Sequence, residues 1–109
     1  MNRLLGLLSL CRKAGRLRIG FEPVKDAVEA GEARLVLYAA DFSPRSRERM
    51  ELLLQRAGAP PGRQAADLTM YDLSQVCGKL AGVAAVADDG FAAGIEKMLC
   101  DQTKEEQNR

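Results

Sequence analysis

The stretch A-R-L-V-L-Y-A-A-D-F-S-P, residues 33–44, decides the fold. Its first eight residues, 33–40, form an almost unbroken apolar run of strand length. A strand with one wet face alternates apolar and polar side chains, so a continuous run is the mark of a strand buried on both faces. Ser43 and Pro44 follow as an N-cap and first-turn pair. The hydroxyl can accept from an orphan helical amide, and proline lacks only an N–H that the first turn does not use. A buried strand running straight into a capped helix is the unit of a layered α/β domain.

C-terminal to this unit, the helix is expected over residues 44–57, with Met50, Leu53, Leu54 and Ala57 inward and Arg45, Glu48, Arg49 and Arg56 outward, before Gly58. Pro60 and Pro61 then force a turn, and residues 63–66 are expected as a short edge strand. Thr69 and Asp72 form a variant capping box that opens a helix with Leu73, Val76 and Cys77 inward, stopping at Gly78. GVAAVA, residues 82–87, reads as a second buried strand. After Asp88 and Asp89 comes a last helix to Cys100 with Phe91, Ile95 and Met98 inward, and residues 101–109 read as a polar, disordered tail.

On the other side of the unit lies MNRLLGLLSLCRKAGRLRIG, residues 1–20. An export signal places its cations first and small residues at the cut, with Cys11 as the lipoprotein alternative. Here only Arg3 precedes the apolar run, four cations follow it, and Leu10 stands before Cys11. The run of residues 4–11 is also far short of the roughly 20 apolar residues of a spanning helix. Leu4, Leu5, Leu8 and Cys11 recur instead at helical spacing, with Asn2, Gly6, Ser9 and Lys13 opposite, so a retained amphipathic helix is expected. It ends at Gly15, a strand occupies residues 17–19, and Gly20 opens a helix with Pro23 in its first turn and Val24, Ala27 and Val28 inward, ending at Gly31. Strands alternating with helices in this way predict an α/β fold, a three-layer α/β/α sandwich around a small mixed sheet.

A chain of 109 residues, 47% hydrophobic and 28% charged, suits one globular domain, and no internal repeat interrupts it. Cys11, Cys77 and Cys100 are odd in number and unpaired in spacing, which suggests neither a disulfide framework nor a zinc site. The three are read as small buried hydrophobes with reduced thiols, and the compartment as cytoplasmic. The chain has no histidine. The commonest general base and metal ligand is therefore missing, no phosphate-loop or dinucleotide fingerprint is present, and the chain is not expected to be an enzyme or to hold a cofactor or metal. Asp88 and Asp89 can be drawn as a divalent-cation pair, but a carboxylate between a strand end and a helix start more simply caps amides.

The net charge is +1, yet Arg3, Arg12, Lys13, Arg16 and Arg18 stand in the first 21 residues without one acid. One end of the fold is thereby expected to attract phosphate. Gly20 and the helix start after it lie beside this cluster in sequence, so amides, dipole and cations converge there. Glu22 and Lys25 share a helix face three residues apart; they suit base or phosphate contacts, or simply form a surface ion pair.

Three blocks, LLGLLSLCRKAGRLRIGFEPVKDAV, EARLVLYAADFSP and LSQVCGKLAGVAAVADDGFAAGI, together resemble the kink-turn RNA-binding ribosomal-protein family that includes archaeal large-subunit protein seven-Ae and eukaryotic large-subunit protein thirty-e. The resemblance is strongest to its bacterial YlxQ-like branch. It implies a four-stranded mixed sheet, a single RNA-binding domain over residues 1–100, and RNA binding without catalysis. The family's Gly-Asn-Glu-x-x-Lys motif maps its glycine to Gly20 and, with one residue deleted, its Glu and Lys to Glu22 and Lys25. Without that gap, Glu22, Pro23 and Asp26 take the Asn, Glu and Lys places; the motif's Asn is absent either way. The family's second loop maps to Gly78, Lys79, Leu80, Ala81 and Gly82.

The resemblance thus implies a protein of the translation machinery whose partner is a kink-turn or bulged RNA, ribosomal or messenger, with the ribosome or ribosomal proteins as further partners and no membrane or small-molecule substrate. Arg16, Arg18 and Lys79 are expected to contact phosphates, Glu22 and Lys25 bases, and Leu80 with Ala81 to pack on an unstacked base. The alternative expectation is a protein-interaction module of the same fold that has lost kink-turn specificity. An accessory domain of an RNA-modifying enzyme is a weaker third.

Overall fold

The computed structural model describes residues 3–107, with side chains described to residue 100. Among these residues the order is α1 (Arg3–Lys13), β1 (Leu17–Ile19), α2 (Phe21–Glu29), β2 (Leu35–Ala39), α3 (Pro44–Arg56), β3 (Arg63–Ala65), α4 (Met70–Cys77), β4 (Val83–Val86) and α5 (Asp89–Gln107). The fold is the expected α/β sandwich with a four-stranded mixed sheet, ordered β1-β4-β2-β3. β4 is antiparallel to both neighbours, with Val86 opposite Leu17 on one side and Leu35 on the other, while β3 runs parallel to β2.

Every residue of β2 and β4 is buried, as their continuous apolar runs require. Their side chains alternate between two cores. Leu35, Leu37, Ala39, Ala84 and Val86 face one layer with Leu17 and Ile19 of β1, against α1, α4 and α5. Val36, Tyr38, Val83 and Ala85 face the other, against Val24 and Val28 of α2 and Met50 and Leu54 of α3.

The expected caps are present. Ser43 Oγ accepts from the Ser46 amide at 3.4 Å. Thr69 and Asp72 close their reciprocal box at 3.1 and 3.0 Å, and α4 ends at a left-handed Gly78. Asp88 Oδ2 accepts from the Phe91 amide at 2.8 Å, while Asp89 pairs with Arg34 at 3.2 Å. The aspartates are thus a cap and an ion pair. No cluster of three or more His, Cys, Asp or Glu suited to a metal occurs among the described residues.

α1 buries Leu4, Leu5, Leu8 and Cys11, the residues its periodicity selects; Asn2 lies outside the described residues. No described helix is long and apolar enough to cross a membrane. Several details differ from expectation. α3 ends at Arg56 and centres its buried face on Met50 and Leu54, which leaves Leu53 half-buried and Ala57 exposed. α5 buries Ala92, Ile95 and Leu99, with Phe91 and Met98 at the flanks, and continues past Cys100 to Gln107; the side chains of the expected tail, residues 101–109, lie outside the described residues. Of the cysteines only Cys11 is fully buried, Cys77 being half-buried and Cys100 exposed.

Two buried acids link this packing to pH. Burial, aided by the charge of Asp88 and opposed by Arg18, pushes the Cys11 thiol up. Burial also raises the Tyr38 phenol, which donates to Glu51 and feels its charge. In the unfolded chain these groups titrate near about 8.5 and 10. Above those values the unfolded chain has released protons that the folded one still holds, so stability falls as pH rises. The contribution of these two groups to the urea midpoint should be constant below about pH 8 and decline above it, and Tyr38→Phe should flatten the upper part of the decline. An equal slope in the variant would show that Tyr38 does not contribute.

Candidate nucleic-acid interface

β1, β2 and β3 all point one way, because each of β1 and β2 is antiparallel to β4 and β3 is parallel to β2. Their C-terminal ends therefore share one edge of the sheet, and α2, α3 and α4 begin there. Such an edge, with helix N-termini facing out of it, is where open α/β sheets commonly hold ligands.

The three helix starts are not equivalent. α4 is closed by its capping box and by Asp41, which accepts from the Met70 amide at 2.8 Å. α3 has the Ser43 cap and Pro44. α2 starts at Gly20, and no side chain caps it. The backbone of Gly20 is held on both sides: its amide donates to Val83 O at 2.9 Å, and its carbonyl accepts from the Val24 amide at 3.1 Å. Pro23 lacks an N–H, so the uncapped donors of this turn are those of Phe21 and Glu22.

The loop of residues 78–82 lies against this open end. A Cβ built on Gly20 would stand 4.0 Å from Lys79 Nζ, which puts the ammonium group over the Gly20 turn. The loop is tucked in by the Cys77 thiol, which donates to the Lys79 carbonyl at 3.1 Å, and by Gly82, whose carbonyl accepts from the Ala39 amide at 2.8 Å. Leu80 is 70% exposed, whereas Ala81 is packed in the core. Leu80 alone is thus placed as an apolar surface, because the chain must turn inward at Ala81 to enter β4.

Gly20 and the loop carrying Lys79 are therefore brought together, with Glu22 exposed and Lys25 half-buried on the first turns of α2. Glu22 and Lys25 do not pair; the ion pairs among the described residues are Arg34–Asp89 and Arg63–Glu96. Arg16 and Arg18 are placed elsewhere. The Arg16 carbonyl accepts from Ala87 just past the end of β4, and Arg18 Nη1 turns back to donate to Gly15 O at 3.0 Å. Residues 12–16 thus lie before the N-terminal end of β1, roughly 10 Å of strand from Gly20, and Arg18, in mid-strand two residues from Gly20, turns its guanidinium back toward that end. The basic cluster is next to Gly20 in sequence, but β1 carries it to the opposite edge.

The site holds one feature the sequence reading passed over. The Arg49 guanidinium lies over the Phe21 ring, 4.9 Å from its centroid, so α3 contributes a cation beside the start of α2.

No family model matches the sequence. The fold is similar to that of a Bacillus halodurans protein of unknown function, with a TM-score of 0.75 at 24% identity over 89% of this chain and 96% of that one. It is also similar to a Giardia lamblia 15.5kD RNA-binding protein, with a TM-score of 0.67 at 20% identity over 90% of this chain and 82% of that one. At these identities the likeness establishes the fold.

Proposed function

We propose that this protein binds RNA without catalysing a reaction, and that its target is a kink-turn or related bulged element of ribosomal or messenger RNA in the cytoplasmic translation machinery. The observation that carries the reading is the placement of the Lys79 ammonium over Gly20, at the one helix start of this edge that no side chain caps. A phosphate there meets backbone donors, a helix dipole and a cation together. The exposed Glu22 carboxylate accepts from guanine N–H groups, Lys25 donates to base acceptors or phosphate, and Leu80 packs on a base splayed out of its stack. The shared fold of the Giardia RNA-binding protein supports the same reading.

Lys79→Ala is expected to weaken binding about tenfold and to lower the salt slope by about one unit, uniformly across RNA sequences. Gel shifts with kinked and straight duplexes over a salt series measure both. Equal affinity for the two duplexes, together with no effect of Lys25→Ala, would rule out recognition of the kink.

A second reading, a protein-interaction module, draws on the exposure of Leu80 and the net charge of only +1. It requires a partner that stays bound at high salt and after nuclease treatment.

A further inference from the structure

Between α2 and α3 runs a groove of about 230 Å³, lined by Glu22 and Lys25 from one helix and by Arg49, Leu52 and Arg56 from the other. It begins at the uncapped start of α2 and leads away along α3. Arg45, Arg49, Leu52 and Arg56 follow one another at spacings of four, three and four, and so form a single stripe down α3 over about 16 Å. Of the acids of α3, Glu51 is turned from it, accepting from Tyr38 and from the Gly62 amide on the β3 side, while Glu48 is exposed beside the stripe, one turn from Arg45 and Leu52, and does not line the groove.

The groove is cationic, and its cations are uncommitted. Lys25, Arg49 and Arg56 face a single carboxylate, Glu22, and the ion pairs among the described residues involve none of them. Stacking on Phe21 positions the Arg49 guanidinium without using its N–H donors. Leu52, 52% exposed, supplies an apolar contact among the charges. Charge and continuity with the Gly20 edge point to one occupant.

We infer that the α2–α3 groove is a track for single-stranded RNA: a strand leaving the element bound at Gly20 passes along α3, its phosphates on Arg45, Arg49 and Arg56 and a base or ribose on Leu52. The inference rests on the RNA reading of the Gly20 edge. Cations on a helix stripe with an interposed apolar side chain suit a flexible strand, whose bases are free to turn toward the protein, better than a rigid duplex.

The test compares two RNAs, a blunt kink-turn duplex and the same duplex with single-stranded extensions, by fluorescence anisotropy over a salt series. The wild-type protein should bind the extended RNA about tenfold more tightly at low salt, with a salt slope steeper by about two units, at roughly 0.7 per single-strand phosphate contact. Arg45→Gln and Arg56→Gln combined should abolish most of that gain while leaving the blunt duplex and the melting temperature unchanged. The corresponding double lysine variant should retain most of the gain. Equal binding of blunt and extended RNA by the wild type, or equal weakening of both by the double glutamine variant, overturns the track and leaves the Gly20 reading standing. Failure to bind either RNA overturns the Gly20 reading and the track with it. A protein retained at high salt by the wild type and lost by the double glutamine variant, with the extension silent, would assign the groove to protein instead.

Discussion

Gly20→Ala is expected to lower stability by about 1–3 kcal/mol and to reduce RNA affinity at least tenfold. Gly20 has φ 107° and ψ 157°, a region essentially closed to residues with a Cβ. Overlap is not the problem: the nearest atom to an added Cβ is Pro23 Cδ at 3.5 Å, an ordinary contact. The cost is backbone strain, and it cannot be relieved locally. Rotating φ to a negative value would swing the amide away from Val83 O or the carbonyl away from the Val24 amide. The first break frees the turn from β4, and the second unwinds the start of α2. Either outcome moves the open amides of α2 relative to Lys79, so affinity falls even in molecules that remain folded. Urea unfolding reads the stability as a shift in midpoint at constant m. D-alanine at position 20, introduced by semisynthesis, accepts positive φ and should restore both properties. An L-alanine variant with unchanged midpoint and affinity would show that this turn does not set the site.

Much of the fold was readable because it depends on local pattern. Buried strands announce themselves as apolar runs, and the caps at Ser43, Thr69 and Asp88 use hydroxyls and carboxylates with a short reach along the chain. Helix faces were readable to within one position. In α5 the large side chains of Phe91 and Met98 drew the expected face toward them, but the small Ala92 allows close approach and the packed line runs through Ala92, Ile95 and Leu99. Cys100 follows Leu99 by one residue, about 100° around the helix, and so faces out.

The site was less readable because it is assembled by sheet topology. That the loop of residues 78–82 lies over Gly20 depends on β4 inserting between β1 and β2, and no periodicity encodes strand order. The strand itself separates Arg16 and Arg18 from Gly20: the three residues of β1 carry Arg16 to the other end, and Arg18, in mid-strand, folds its guanidinium back the same way. Arg49 belongs beside Phe21 only once α3 packs on α2. The spacing of Arg45, Arg49, Leu52 and Arg56 was the available signal. It marks a stripe, though not what the stripe adjoins.

Gly82→Ala is expected to cost about 1–3 kcal/mol by overpacking and to displace Lys79 from Gly20 without touching either residue. A Cβ on Gly82 would overlap the Phe42 ring, with Cγ only 2.8 Å away. The ring has little room to yield. It stacks on Tyr38 with centroids 5.9 Å apart and planes at 10°, and Tyr38 is itself buried and tied to Glu51. If the ring stays, the chain at Gly82 must move instead, which strains the 2.8 Å bond from the Ala39 amide to Gly82 O. Residues 78–82 would then shift as a unit, because β4 fixes one end of the loop and the Cys77 thiol holds the Lys79 carbonyl near the other. RNA affinity should fall with stability, and the salt slope should drop by about one unit, as it does for Lys79→Ala. Phe42→Ala decides between this account and a general weakening of the core. Alone it leaves a void beside Gly82 and destabilises; combined with Gly82→Ala, the added methyl group enters that void. The double variant should therefore be more stable than the two single effects predict, by about 0.5–3 kcal/mol, and should recover part of the RNA affinity. Strict additivity in the cycle would show that the aromatic stack does not support the loop.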